Sequence, residues 1–313
     1  MKQIHLTHDT TDRIPSAATI GCFDGVHRGH QYLIGQLKQA AQQRGLPTTV
    51  VTFDRPPRLL FQPDWQPQLL STADEQQQQL ATTGIDRMVV LHFDRQMAAL
   101  SAHDFMQRVL KEQLGVELLL TGYDNRFGHD RTEGFDDYRR YGQQLGIDLV
   151  LGQPLVAEGE TVSSTLVRRY LSEGNVERAN QLLGYRYTLQ GTIVAGEHIG
   201  HRLGFPTANL QLSVPEKMLP QAGAYAVRVA TAESHAPTFT GMMNIGHRPT
   251  FDGHHQTIEI HILDFSGDLY GQTLTVELVA RLRPEQRFAN EADLKAQLQA
   301  DAEQARTLIQ TLI

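Results

Sequence analysis

The sequence predicts two domains: a Rossmann-like α/β domain over residues 1–184, with a parallel sheet covered on both faces, and a small antiparallel β-barrel with a C-terminal helix over residues 185–313. Three observations lead there. The chain has 313 residues, and domains run to roughly 150 residues each. Its first half alternates short apolar strands with polar helices, the pattern of strands buried on both faces. From Tyr187 onward, strands follow at short intervals and mostly alternate apolar with polar, as a barrel wall with one packed face does.

The elements follow in order. A strand ends at Ala18-Thr19-Ile20-Gly21, and residues 31–44 form a helix with Leu33, Ile34, Leu37 and Ala41 on one face and Gly45 as its stop. Strands are predicted at 47–53, 88–91, 116–121 and 147–150, and helices at 74–83, 102–114 and 136–145. The Gln76–Gln79 run reads as a solvated helix face, and a helix over 172–183 leads to the boundary. Beyond it, strands are predicted at 225–229, 240–245, 257–262 and 273–278, and a last helix over 291–312.

Composition narrows the function classes. Hydrophobic residues make up 40% and charged residues 20% of the chain, the proportions of a soluble globular protein. A net charge of −7 argues against a chain that lives on nucleic acid. The single cysteine excludes an internal disulfide framework and a Cys-rich zinc site; Cys22 itself reads as a small residue buried at a strand end. No apolar run reaches membrane-spanning length, so the expected location is cytoplasmic, with no membrane partner.

Between the first strand and first helix stands Gly21-Cys22-Phe23-Asp24-Gly25-Val26-His27-Arg28-Gly29-His30. Its glycines allow close backbone approach, and the following helix aims free N–H groups and its positive dipole end at the loop. His27 and His30 flank Gly29, and each can donate to phosphate oxygens and to charge developing in a transition state. His-x-Gly-His at such a junction is the signature of nucleotidyl-transferring α/β enzymes. Ser163-Ser164-Thr165 open a later helix with Arg168 one turn on, a capping pattern that also makes a second anion site.

In the second half, Gly196, Gly200 and Gly204 make a loop able to wrap phosphates with backbone amides, and Pro206-Thr207-Ala208-Asn209 follows. Thr207 and Asn209, two apart on an extended segment, share a side and offer hard oxygen ligands suited to Mg²⁺. On the strand 257–262 the isoleucines face one way, and Thr257, Glu259 and His261 face the other.

These residues resemble the bifunctional riboflavin kinase/FMN adenylyltransferase family, the prokaryotic FAD synthetases, from about Gly21 to about Asp301. Further matches are Gly122-Tyr123-Asp124-Asn125-Arg126-Phe127-Gly128, Asn244-Ile245-Gly246, Leu269-Tyr270-Gly271 and Leu282-Arg283-Pro284-Glu285 with Phe288. The resemblance implies ATP phosphates at Gly21, Phe23, Asp24, Gly25, Gly29, Ser163, Ser164 and Thr165, with His27, His30 and Arg168 acting on them. It implies flavin beside Asp124, Asn125 and Phe127 in the first half, and beside Arg283 and Phe288 in the second. In the kinase half it implies ATP with Mg²⁺ at Thr207 and Asn209, a cation from either His201 or Arg202, and Glu259 as the base for the riboflavin 5′-hydroxyl. The expected substrates are riboflavin, FMN and ATP, with FAD as product, on a monomer or weak homo-oligomer.

Three departures stand out. Asn125 replaces an aromatic, Arg55-Pro56-Pro57 stands where the family reads Pro-His-Pro, and His201 takes the place of an arginine. The first two leave open a monofunctional riboflavin kinase with a decayed adenylyltransferase domain. A non-catalytic flavin-binding protein and a transferase for another small molecule are the remaining alternatives.

Overall fold

A computed structural model of the chain describes residues 1–7, 10–129, 132–195, 204–231, 239–250 and 253–311. Its contacts divide it into two compact units, Met1–Ser164 and Thr165–Ile313.

The first unit is built on β1 (Lys2–Leu6), β2 (Ser16–Ile20), α1 (Arg28–Gln42), β3 (Thr48–Phe53), the single turn α2 (Arg58–Phe61), α3 (Ala73–Thr82) and β4 (Arg87–Leu91). The turn α4 (Arg95–Ala98) follows, then α5 (Ala102–Asp104), which runs on as a π-helical stretch from Phe105 to Gln113. β5 (Val116–Thr121), α6 (Phe135–Leu145), β6 (Asp148–Leu151) and a small hairpin of β7 (Val156–Ala157) and β8 (Glu160–Thr161) complete it. Six strands pair in the order β1-β4-β3-β2-β5-β6, and every pairing is parallel. The order reverses between β2 and β5, the position at which ligands sit beyond the carboxyl ends of such sheets. Both faces are covered, by a layer containing Met106, Leu110 and Tyr138 and by others containing Ile34, Leu37 and Leu80.

One strand of this parallel sheet is absent from the sequence expectation. β1 pairs with β4 over five residues, yet only Leu6 is fully buried, so its apolar signal is weak. The segment after it is tied down by Arg87, which is 4% exposed and donates to the Asp12 carboxylate at 2.8 Å and to the Asp12 carbonyl at 3.0 Å. Removing one partner of a buried ion pair strands the other charge. Asp12→Ala is therefore expected to cost about 3 kcal/mol. Urea titration checks this as a lower midpoint with unchanged slope.

The second unit begins with α7 (Thr165 onward within Ser164–Ser172) and α8 (Val176–Leu183). The single helix expected over 172–183 starts later, because the chain turns through Gly174 at φ +75° and Asn175 caps a new helix. Both helices pack on the barrel: the Gln221 N–H donates to the Leu171 carbonyl, and Asn180 Nδ2 donates to the Leu278 carbonyl. The barrel contains β9 (Thr188–Val194), β10 (Ala208–Leu212), β11 (Gly223–Thr231), β12 (Phe239–Thr250), β13 (Gly253–Ile262) and β14 (Thr273–Pro284). They close in the order β10-β13-β12-β11-β14-β9, with β9 pairing back to β10. Tyr225, Val227, Met243, Ile245, Ile258, Ile260, Val276 and Leu278 fill the interior. On the outer wall Ala226, Met242 and Ala280 pack against Ala302, Ala305 and Ile309 of α9 (Glu291–Thr311).

Candidate active sites

The loop from β2 to α1 is held in shape from several directions. His27 is the N-cap of α1, and its Nδ1 accepts the His30 backbone N–H at 3.3 Å. The two imidazoles stack with centroids 3.7 Å apart and 18° between planes. His27 is buried; His30 is half-buried, and its Nδ1 is enclosed without a hydrogen-bond partner among the described residues. Burial, reinforced by the neighbouring His27 charge, pushes the His30 imidazole well below its ordinary pKa, so it is neutral near pH 7.

The loop backbone is strained. Phe23 and Val26 hold φ of +46° and +34°, unusual for an aromatic and a β-branched residue. Both are buried in one cluster with Ile34 and Leu80, and this packing holds them there. The Phe23 ring lies 5.0 Å from that of His30 and supports it from below. Gly25 has φ +79°, and its N–H donates to Ser71 Oγ at 2.9 Å.

Asp24, a phosphate position by resemblance, is tied to the loop before α3. Its carboxylate accepts the backbone N–H groups of Leu70 and Ser71 at 2.9 and 3.0 Å, so its charge is directed into the neighbouring loop. Gln76 likewise leaves the solvated face expected of its run, donating to the Cys22 carbonyl at 2.6 Å. Cys22 itself is exposed, contrary to the burial expected of a strand-end residue, because β2 stops at Ile20 and the loop turns outward after Gly21.

Gly29 explains how the start of α1 approaches the segment leading to Ser163 and Ser164. A Cβ there would lie 2.5 Å from the Val162 carbonyl oxygen, so only glycine lets the start of α1 touch the segment before Ser163. Ser164 Oγ closes the contact by donating to the Asp24 carbonyl at 2.9 Å. Ser163 and Ser164 are half-buried; Thr165 is exposed and Arg168 half-buried on α7.

The loop after β5 is anchored inward. Asn125, where an aromatic was expected, donates from Nδ2 to the Ile20 carbonyl and laces the loop to the end of β2. Phe127 is 9% exposed and stacks on Tyr138 at 4.1 Å. Tyr123 and Asp124 occupy the centre of a turn closed by the Asn125 N–H and the Gly122 carbonyl, and both are exposed. The Arg55-Pro56-Pro57 segment follows β3, where Asp54 accepts from Phe93 N–H at 3.0 Å and lies 2.6 Å from His92 Nδ1.

On the barrel, register brings the expected residues into one line. Asn209 of β10 stands opposite Glu259 of β13, Glu259 opposite Asn244 of β12, Asn244 opposite Ala224 of β11, and Ala224 opposite Arg283 of β14. The row lies on the outer wall, in phase with Met242 and out of phase with the buried Ile258 and Ile260. Five adjacent strands span roughly 19 Å. Glu259 is half-buried with an amide side chain on each neighbouring strand. Asn244 had matched the family pattern without a role; strand alternation alone puts it on this face.

His261 fixes the segment carrying Thr207 and Asn209, since its Nδ1 lies 2.8 Å from the Pro206 carbonyl and its ring meets Phe205 edge-on at 5.2 Å. Gly204 has φ +84° with open space around it. Gly196, Gly200, His201 and Arg202 lie outside the described residues. Arg283 sits over the Phe288 ring at 5.5 Å.

Comparison with known proteins agrees with both halves. Residues 9–166 match the FAD synthetase family and residues 183–309 the riboflavin kinase family. Bifunctional riboflavin kinase/FMN adenylyltransferase of Escherichia coli K12 is 40% identical, covering 92% of this chain and 91% of its own. The Listeria monocytogenes protein of the same name is 36% identical over 100% of this chain and 99% of its own. A crystal structure described as a macrolide-efflux protein from Streptococcus pneumoniae has a TM-score of 0.89 at 29% identity, covering 98% of this chain and 99% of that one. The chain belongs to the bifunctional riboflavin kinase/FMN adenylyltransferase family.

Proposed function

We propose that the two sites divide the work by chemistry, Glu259 serving the kinase and the His27–His30 pair the adenylyltransferase. The chain is a bifunctional enzyme that phosphorylates riboflavin to FMN and adenylylates FMN to FAD. The observation that carries the assignment is that one chain holds two separate constellations. One is a stacked imidazole pair at a helix N-terminus, the other a carboxylate between two amides on a barrel wall.

In the barrel, Glu259 accepts the proton of the riboflavin 5′-hydroxyl as its oxygen attacks the γ-phosphorus of ATP and ADP leaves. Asn209 offers a neutral oxygen on the strand beside that carboxylate and Thr207 another two residues earlier, a donor set that fits Mg²⁺ shared with phosphates. When bound, the ion neutralises phosphate charge; the chain's own residues position the hydroxyl and take its proton.

In the α/β domain the FMN phosphate attacks the α-phosphorus of a second ATP, and pyrophosphate leaves. His27 and His30 donate hydrogen bonds to the charge that develops, the α1 N-terminus adds its dipole, and Arg168 supplies a cation from α7. On the flavin side of this site, Asp124 and the Tyr123 ring face outward, while Asn125 and Phe127 hold their loop in place.

The net charge of −7 fits small anionic substrates gathered by local loops rather than by a basic surface. None of the described helices is long and apolar enough to cross a membrane. We assign the enzyme to the cytoplasm, as a monomer or weak homo-oligomer without nucleic-acid or membrane partners.

The test is a chromatographic time course with riboflavin, ATP and Mg²⁺. FMN is expected first and FAD after it. FMN accumulating without FAD would confine the activity to the barrel and make Asn125 and Pro56 marks of a lost adenylyltransferase.

A further inference from the structure

We infer that Asp301 is a positioning residue for riboflavin phosphorylation, acting through Arg283. The inference rests on the reading of Arg283 as a flavin contact.

Asp301 lies on α9 and is 1% exposed. Its immediate neighbours in the helix packing, Ala302, Ala305 and Ile309, are apolar and fill the contact with the barrel. A carboxylate among them is expensive to desolvate, and an apolar side chain of similar size would pack there at lower cost. What Asp301 does instead is hold a guanidinium. Its Oδ2 accepts Arg283 Nε at 2.9 Å and its Oδ1 lies 3.3 Å from the same atom. Gln297, one turn earlier, donates to Oδ1 at 2.8 Å and fixes the carboxylate in turn.

Arg283 is thereby oriented before any substrate arrives. The Nε bond to Asp301, the bond from one terminal nitrogen to the Pro284 carbonyl at 3.3 Å and the Phe288 ring against its face set the guanidinium plane. The remaining terminal nitrogen donates to no partner among the described residues. Arg283 stands at one end of the row that runs through Ala224 and Asn244 to Glu259 and Asn209. Between the cation and the amide of Asn244 the row carries the methyl side chain of Ala224. A flat, polar-edged ring placed along that row would meet a donor already aimed, and the ordering of a long, flexible arginine would not be charged to each binding event.

The test is a double-mutant cycle in the full chain, read by steady-state kinetics of FMN formation. Asp301→Asn is expected to raise the KM for riboflavin about tenfold, with kcat changed less than about twofold and the KM for ATP unchanged. Arg283→Ala should raise the riboflavin KM at least as far. The double variant should be no worse than Arg283→Ala alone, because Asp301 has no route to the flavin except through that side chain. Effects that multiply in the double variant, or equal losses in kcat and both KM values, would make Asp301 a structural residue and overturn the proposal. An unchanged riboflavin KM in Arg283→Ala would also overturn it, and with it the flavin role of Arg283, while FMN formation itself would still stand. Should Asp301→Asn fail to fold, Gln297→Leu loosens the same carboxylate from the other side. A rise of about threefold in the riboflavin KM alone supports the network, and no rise overturns it.

Discussion

Glu259→Gln is expected to lower kcat for FMN formation by about 10²–10⁴-fold while leaving FAD formation from supplied FMN within about twofold of the parent. The substitution preserves length, shape and hydrogen-bonding capacity but cannot accept a proton. Glu259 is half-buried on the outer wall, so the exchange leaves the barrel interior of Ile258, Ile260 and Met243 intact. If substrate affinity rests on other members of the row, as proposed, KM values should move little and the loss should fall on kcat. Asn209 and Asn244, on the strands at either side, bear no charge that could substitute for the missing carboxylate. A normal kinase rate in this variant would remove Glu259 from the role of base. A loss of FAD formation from supplied FMN would instead mean that the change disturbs more than the barrel.

Much of this arrangement was legible in the sequence because its signals are local. Alternation of isoleucine with polar residues over 257–262 fixes which side Glu259 faces, and glycines between a strand end and a helix start mark the loop proposed to hold phosphate. What escaped is set by distant partners. Nothing near Asp24 announces that its carboxylate is engaged by the backbone of Leu70 and Ser71, or near Gly29 that the Val162 carbonyl crowds it. Asn125 looked like a loss of stacking surface, whereas its amide ties two loops together, a contact that needs the end of β2 beside it. The row from Arg283 to Asn209 depends on the register of four strand pairings and on a shift in β11–β14 pairing between Ala224 and Tyr225. Period-two patterning gives the face of a residue but not its opposite number. The expected boundary after Gly184 followed the change in strand pattern. The compact units part at Ser164, since α7 and α8 make their contacts with the barrel.

The converse variant, His27→Asn with His30→Ala, is expected to reduce FAD formation by at least about 10³-fold and leave FMN formation from riboflavin unchanged. Asparagine is chosen at position 27 because His27 caps α1 by accepting the His30 N–H, and asparagine is among the best residues for that task. Alanine there would add a capping loss of about 1 kcal/mol to the catalytic one. Since the rings stack at 3.7 Å and are proposed to act on one phosphate, the single losses should not multiply to the double one. The pair also carries a pH signature. Burial and the His27 charge hold the folded-state pKa of His30 below its unfolded value near 6.5. Above pH 6.5 both states are neutral and the full stability is present. As the pH falls below 6.5 the unfolded chain takes up a proton that the folded chain refuses, and stability is lost by at most about 1.4 kcal/mol per pH unit. His30→Ala should flatten that part of the pH–stability curve, as measured by urea unfolding of the parent and variant between pH 7.5 and about pH 5. An unchanged slope would mean that His30 titrates normally and is not the neutral donor the adenylyl transfer requires. FAD formation that survived the double replacement would shift the burden of charge stabilisation to the α1 dipole and Arg168 alone.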